Sequence, residues 1–504
     1  MSIPPSTPNP WRSRALAVLP LVFLEALASD FADFPLYRLL QDIECEKYFS
    51  KEACGIPEVT EVASRNLTIC AGVAITIGIL VSGLYSRVLD YGGRRKAMGV
   101  AASLQLLGAI LGFLSASRDN FRKISAFIIV SLIRGLGGGT TVLKAANLVL
   151  MTDCSSSTSR SFYFTLTFGM IALSGFIVPL VGHSLLVNES YSAAYLISLL
   201  CWVVYLLYLG FVFREVQDVK LSMLSGTSWT LGTPIKYSVD PLKLLFNEYR
   251  HIIPWICAVI FALPFPEILI TAYAARLFIV DFNTDSDFGT SGEAPVVASA
   301  VASITSMFVL LPATAYLYRF RYGRKLVSAD ATERKLASDT DTQHNEPCGA
   351  TQSHSGSQLS ATLLAISQDL SISRACFVAI TIGALIVSFS ERMAVLAVGY
   401  SIYSLGRPSK PVIQSLVSHI AKPNQRGRII TSLVAFESVA SVLLFPSSGI
   451  LSFFEGPPDH PEDMLPPIPS MIPAAAHTAT LLYLLCTSIM FRMGTAAYTG
   501  IKTD

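Results

Sequence analysis

The residues most able to do chemistry in this chain are charges set inside long apolar runs. Glu25, Asp30, Asp33 and Arg38 fall within the first such run, and Arg134 opens a glycine run, Gly135-Leu136-Gly137-Gly138-Gly139, inside a later one. A charge at the centre of a membrane helix costs about 2.5–3.5 kcal/mol on insertion scales, so each one implies a cavity, a partner or a role in moving charge. A carboxylate beside an arginine can give up and regain a proton as water reaches it from one side and then the other. That chemistry is proton exchange and ion pairing, with no bond made or broken in a substrate. Glu25, Asp33 and Arg134 are therefore the candidates for proton coupling or for lining a substrate cavity. Lys144 and Glu267, the latter just after Pro264 and Pro266, join them, since prolines free backbone carbonyls where a ligand could bind. The ordinary alternatives stand beside these readings. Asp33 and Arg38 can mark a helix end and reach water, Arg134 can pair with a carboxylate of the first helix, and Lys144 can lie near the cytoplasmic end. Glu437 and Lys410 read as an interhelical salt bridge. His183, His419 and His477 lack the local setting of a catalytic histidine, so the chain is not expected to be an enzyme.

The elements that must position these groups follow from composition. Hydrophobic residues make up 52% of the chain and charged residues 14%, with a mean hydropathy of +0.53. This is the profile of an all-α integral membrane protein, not of soluble domains. Spans need about 20 apolar residues, and twelve runs qualify, in two groups of six. The expected organisation is a cytoplasmic tail over 1–14, a first six-helix bundle over 15–213, a cytoplasmic linker over 214–251 and a second bundle over 252–491. A disordered polar insert over 328–360 interrupts the second bundle, and a cytoplasmic tail over 492–504 follows it.

The first helix is read as one element from about Ala15 to Leu40, the second as Leu67 to Leu89, the fourth as Ala126 to Met151, the ninth as Ala375 to Ser388 and the tenth as Met393 to Ile420. Orientation comes from the hairpin Gly83 to Lys96, whose Arg94, Arg95 and Lys96 resist translocation and hold that loop in the cytoplasm. The sequons at Asn66 and Asn188 fall on the opposite side, as glycosylation requires. Cys45 and Cys54 sit close together in an exterior loop, where either a disulfide or two free thiols would be at home. No cysteine or histidine spacing suggests a metal site, and no nucleotide-binding motif suggests ATP-driven pumping. The net charge of +2, without a basic block, argues against a nucleic-acid partner. No cofactor is expected. The region from Leu136-Gly137 to Arg160 has a counterpart from Leu405-Gly406 to Arg428, the weak repeat that duplicated transporter halves leave behind.

The segment Asp90-Tyr91-Gly92-Gly93-Arg94-Arg95-Lys96 resembles the D-x-x-G-R-R-K signature between helices 2 and 3 of major facilitator transporters. Arg134 with its glycines resembles that family's R-x-x-x-G pattern. Ser174 to His183 is similar to its antiporter signature at Pro179 and Gly182. Pro35 to Cys45, Gly137 to Gly139 with Asp153 and Arg160-Ser161-Phe162, Leu311-Pro312, and Asp369-Leu370 with Arg374 resemble a filamentous-fungal subgroup. That subgroup is often encoded beside genes for secondary metabolites. The resemblance implies the major facilitator fold, with two pseudo-symmetric bundles around a central cavity and alternating access. It further implies a gate in which Asp90 meets the N-terminal end of a second-half helix, taken as helix 11, and Arg94 links to Asp153. The function implied is proton-coupled export of a small organic molecule by a monomer in the plasma membrane or, alternatively, the vacuolar membrane. The rival reading is an uptake carrier for a sugar, organic acid or siderophore.

Overall fold

The computed structural model describes residues 10–48, 57–118, 123–156, 159–187, 190–211, 253–264, 294–318, 320, 353–390, 393–421, 425–453 and 488. The described chain is helical throughout, with π turns at Val88–Gly92 and Ser306–Leu310. Eight of its helices are long and apolar enough to cross a membrane. Helices α1 (Pro10–Asp33), α2 (Leu36–Tyr48), α3 (Pro57–Arg87), α4 (Arg94–Ser117), α5 (Ile124–Leu136), α6 (Gly139–Cys154), α7 (Arg160–Val187) and α8 (Tyr191–Phe211) form a first bundle. Helices α9 (Ile253–Ala262), α10 (Ala294–Thr305), α11 (Ser353–Ser388), α12 (Met393–Leu405), α13 (Ser409–Ile420) and α14 (Arg426–Phe453) belong to the second. Within the first bundle α1 packs on α6, α7 and α8, and α4 on α5 and α8. Within the second, α11 packs on α12 and α13, and α10 on α12. The bundles meet where α14 lies along α3 and α6, and where α7 meets α10 and α13. Exposed apolar side chains such as Val100, Leu200, Phe211 and Val309 face outward, as lipid contact requires.

Several boundaries differ from those read in the sequence. The first helix begins at Pro10, inside the expected tail, and breaks at Phe34-Pro35, because a proline inside a helix removes an amide donor and its ring crowds the preceding turn. Phe34 N still donates to Asp30 O at 2.8 Å, and Leu39 N to Pro35 O at 3.0 Å, so the chain restarts at once as α2. Most of the expected exterior loop is thereby helical, and α3 starts at Pro57, ten residues before the expected Leu67. Between α3 and α4 only the π turn and Gly93 remain. Gly93 sits at φ 94, a conformation in which other residues are strained. Helix α11 begins at Ser353, within the insert expected to be disordered.

The fourth and tenth spans are each broken rather than continuous. At α5–α6 the glycines Gly138 and Gly139 take φ 81 and φ 53, and Tyr85 Oη donates to the freed Leu136 carbonyl at 3.4 Å. At α12–α13 the interruption is Gly406-Arg407-Pro408, and Ser306 Oγ donates to the freed Leu405 carbonyl at 2.7 Å. The two ends that the sequence repeat aligned are therefore both broken, the first at positive-φ glycines and the second at a Gly-Arg-Pro turn. The expected linker, the seventh span beyond residue 264, the twelfth span apart from residue 488, and the C-terminal tail lie outside the described residues.

Candidate functional site

Three groups of polar side chains occupy the bundle interior. The first is inside the first bundle. Arg134, in the last turn of α5, donates through Nη1 to Asp33 Oδ1 at 2.5 Å. Its Nε reaches Gln105 Oε1 at 3.4 Å, and Gln105 Nε2 donates to the Arg134 carbonyl at 2.9 Å. Gly108 makes room for this arginine, since a Cβ there would lie 2.6 Å from Arg134 Cγ. Asp30 and Asp33, although a turn apart, serve different helices: Ser174 Oγ on α7 donates to Asp30 Oδ2 at 2.7 Å. Asp33 is 54% exposed while its partner is 16% exposed, so this pair lies at the edge of a space open to solvent. Arg38 is exposed.

The second group crosses between the bundles at mid-span. Lys144 on α6 donates to Glu437 Oε1 on α14 at 2.7 Å, and Lys410 on α13 reaches the same oxygen at 2.5 Å. Thr141 Oγ1 and Ser438 Oγ lie 2.8 Å apart beside them, and the Lys144 ammonium sits 5.1 Å from the centre of the Phe168 ring. One turn along α6, Asn147 Nδ2 donates to Glu25, which is buried. The sequence marked Glu25 and Lys144 as candidates but read Glu437 and Lys410 as an ordinary bridge. Their convergence with Lys144 brings residues almost 300 positions apart together, and charge type within a span was the only signal that pointed to them.

The third group closes the end that carries Arg94, Arg95 and Lys96. Asp90 accepts from the Gly427 amide at 3.1 Å and from Arg428 Nε at 3.2 Å, at the N-terminus of α14. Four amides are unsatisfied at any helix start, and the helix dipole favours an anion there. Gly427 is required by contact, because a Cβ would collide with the Asp90 carboxylate. Arg94 pairs with Asp153 at the end of α6, and Arg95 donates to the Gly210 carbonyl. On the other side of the same end, Arg160 Nη1 donates to the Ser418 carbonyl at 3.2 Å and to His419 Nδ1 at 3.3 Å. His419 Nε2 faces Asp369 Oδ2 at 3.6 Å, and both side chains are 1% exposed. In the sequence His419 shows no catalytic setting; the structure buries its side chain at the seam between α7 and α13.

Asn66, read as a glycosylation acceptor, is in the interior of α3, 7% exposed, with Nδ2 donating to the buried Glu44 at 3.2 Å. The sequon therefore runs along a packed helix and not in the loop read for it from the sequence. Cys45 is buried and disulfide-bonded. Its expected partner Cys54, the second sequon Asn188 and the candidate Glu267 lie outside the described residues. Among the described residues no His, Cys, Asp and Glu cluster could hold a metal.

Two pseudo-symmetric helical bundles, each with a glycine-broken helix at the seam, define a membrane protein with the major facilitator fold. The human organic anion transporter MFSD10 superposes over 96% of this chain and 100% of its own, with a TM-score of 0.63 at 14% identity. The major facilitator proton:xylose symporter XylE superposes over 95% and 96%, with a TM-score of 0.61 at 13% identity. No protein-family model matches the chain. In sequence, an uncharacterised membrane protein of Schizosaccharomyces pombe is 24% identical over 308 residues, 58% of this chain and 44% of that protein. The proton-coupled folate transporter of Bos taurus is 24% identical over 227 residues, 42% of this chain and 49% of the relative. The chain thus spans about half the length of the curated relatives it matches.

Proposed function

We propose that this multi-pass membrane protein is a secondary active transporter that moves a small organic molecule by alternating access, driven by protons. The observation that supports this most directly is the polar seam. The two bundles are joined by Lys144–Glu437, Thr141–Ser438 and Asp90 with Gly427 and Arg428, contacts that can be exchanged for water or ligand as one bundle rocks against the other. Asp90, Arg94 and Asp153 act as the cytoplasmic gate, closed in this conformation. Glu25 and the Asp33–Arg134 pair carry the proton, since each couples helix 1 to another helix of the same bundle. Export of a metabolite across the plasma membrane by a monomer is the direction we favour. Uptake is the second reading, favoured by the likeness to proteins named as proton symporters for xylose and fucose.

The test is metabolite profiling of cells and medium with and without the protein, repeated with Arg134→Ala at two external pH values. Export predicts a compound that builds up inside cells lacking the protein, with Arg134→Ala behaving like the deletion despite normal membrane insertion. A compound left unconsumed in the medium replaces export by uptake, and no change in any compound overturns the transport reading.

A further inference from the structure

We propose that the Lys144–Glu437–Lys410 cluster is the seat of an anionic substrate, a carboxylate-bearing organic molecule, and that Glu437 fills that seat until the substrate displaces it. The proposal rests on the transporter reading and adds the class of substrate. Its first support is geometric. Both ammonium groups approach one oxygen, Glu437 Oε1, at 2.7 and 2.5 Å. Two cations this close repel each other by an amount that grows as water leaves, and a single carboxylate oxygen between them offsets that repulsion. A second carboxylate entering the space would find two donors already aimed and fixed, whereas an entering cation would meet both ammonium groups.

The second support is access. The side chains of Lys144, Lys410 and Glu437 are 19%, 21% and 13% exposed, against 1% for each member of the Asp369–His419 pair. The cluster is reached by solvent although it lies where α6, α13 and α14 meet; Asp369–His419 is sealed. The carboxylate of the seam-crossing Asp90–Arg428 pair is also nearly sealed, at 3% exposure, so Glu437 is the more accessible of the two carboxylates that tie the bundles. The third support is the surroundings. Phe168 presents its ring to Lys144 as an apolar wall, backed by the buried Phe164, Met307 and Val434 of the same cluster. A molecule with a carboxylate at the lysines would lay its apolar body against that wall. Because Lys144 belongs to the first bundle and Glu437 to the second, displacing Glu437 also removes an ionic tie across the seam, so occupancy and release of the bundles are one event.

The test is chemical rescue in the purified full-length protein in detergent, read by intrinsic-fluorescence melting. Glu437→Gln keeps the side-chain shape and removes the charge. Acetate and benzoate should raise its melting temperature, while acetamide and benzamide at matched ionic strength should not. Removing the competing carboxylate, worth about 1.5–3 kcal/mol as a charged hydrogen bond, should tighten benzoate by about tenfold or more relative to the natural protein. Lys410→Gln retains the Lys144–Glu437 bond and should lose the carboxylate-specific shift, which keeps the test decisive if Glu437→Gln does not fold. Equal shifts with acid and amide, or an undiminished benzoate shift in Lys410→Gln, overturn the proposal. Proteoliposomes carrying an internal pH probe separate the two readings. Proton movement coupled to neutral or cationic compounds alone would retain transport and reject the anion seat. A carboxylate-specific shift with no flux of any class would retain the seat and reject transport.

Discussion

Asp90→Asn should open the end of the bundle that carries Arg94, Arg95 and Lys96. The aspartate side chain is 3% exposed and accepts from the Gly427 amide and from Arg428 Nε. Hydrogen bonds to a charged group contribute about 1.5–3 kcal/mol each, and an anion at a helix N-terminus adds up to about 2 kcal/mol when partly buried. Asparagine keeps the size and one acceptor oxygen but loses the charge and turns an NH2 toward a donor. A loss of about 2–4 kcal/mol from the closed state is the resulting range, which shifts the closed-to-open ratio by about 30- to 900-fold. A gate closed 99% of the time would pass to one open for a large share of it. Nitroxides at Lys96→Cys on α4 and Ser371→Cys on α11, both exposed positions, report the opening by double electron–electron resonance as a longer, broader distance distribution. Arg95→Gln is the control, because Arg95 bonds to Gly210 within the first bundle and should leave the distribution unchanged. Identical distributions for Asp90→Asn and the natural protein would refute the latch.

Three further outcomes follow from local geometry. Gly138→Ala should lower the melting temperature more than Gly139→Ala. Both glycines have positive φ, at about 1–2 kcal/mol for a side chain, but only at Gly138 would the new Cβ also collide with Val142. Asn66→Ala should leave the electrophoretic mobility of the protein unchanged without glycosidase treatment, yet cost about 1–3 kcal/mol in thermal unfolding, because the buried Asn66–Glu44 hydrogen bond is removed. Glu25→Gln should preserve insertion and the contact with Asn147, but abolish the dependence of flux on the proton gradient in proteoliposomes; a retained dependence would move the proton to Asp33.

The spans were legible because apolar runs of sufficient length have few alternatives, and the end carrying Arg94 to Lys96 was legible from clustered charge. Helix interruptions were less so. Phe34-Pro35 and Gly138-Gly139 both carry residues that break helices, yet each sits in a run apolar enough to read as one span, and hydropathy does not sense φ. The loop placement of Asn66 failed for the same reason: a sequon specifies three residue types, while burial of Asn66 against Glu44 depends on α2 folding back along α3. Glu437 shows the limit from the other side. Its charge was visible, but its worth depends on Lys144 and Lys410 arriving from two other helices. The separation in sequence, 293 residues for the first pair, leaves no local pattern to read.

The two broken helices give these arrivals a common cause. A helix interrupted by Gly-rich or Gly-Arg-Pro sequence restarts with its own first turns at the seam, and Lys144 on α6 and Lys410 on α13 lie within two turns of those restarts. Repetition of the break in both bundles thus brings a lysine from each to one level, where α14 supplies the carboxylate. The same α14 begins at the Asp90 contact, with Gly427 and Arg428 ten and nine residues before Glu437. At 1.5 Å per residue that is about 15 Å of one helix between the proposed seat and the proposed latch. A rigid helix held at both points cannot leave one without straining the other. Loss of the Glu437 tie on substrate binding would therefore weaken the Asp90 contact, and Glu437→Gln should broaden the Lys96–Ser371 distance distribution in the same sense as Asp90→Asn.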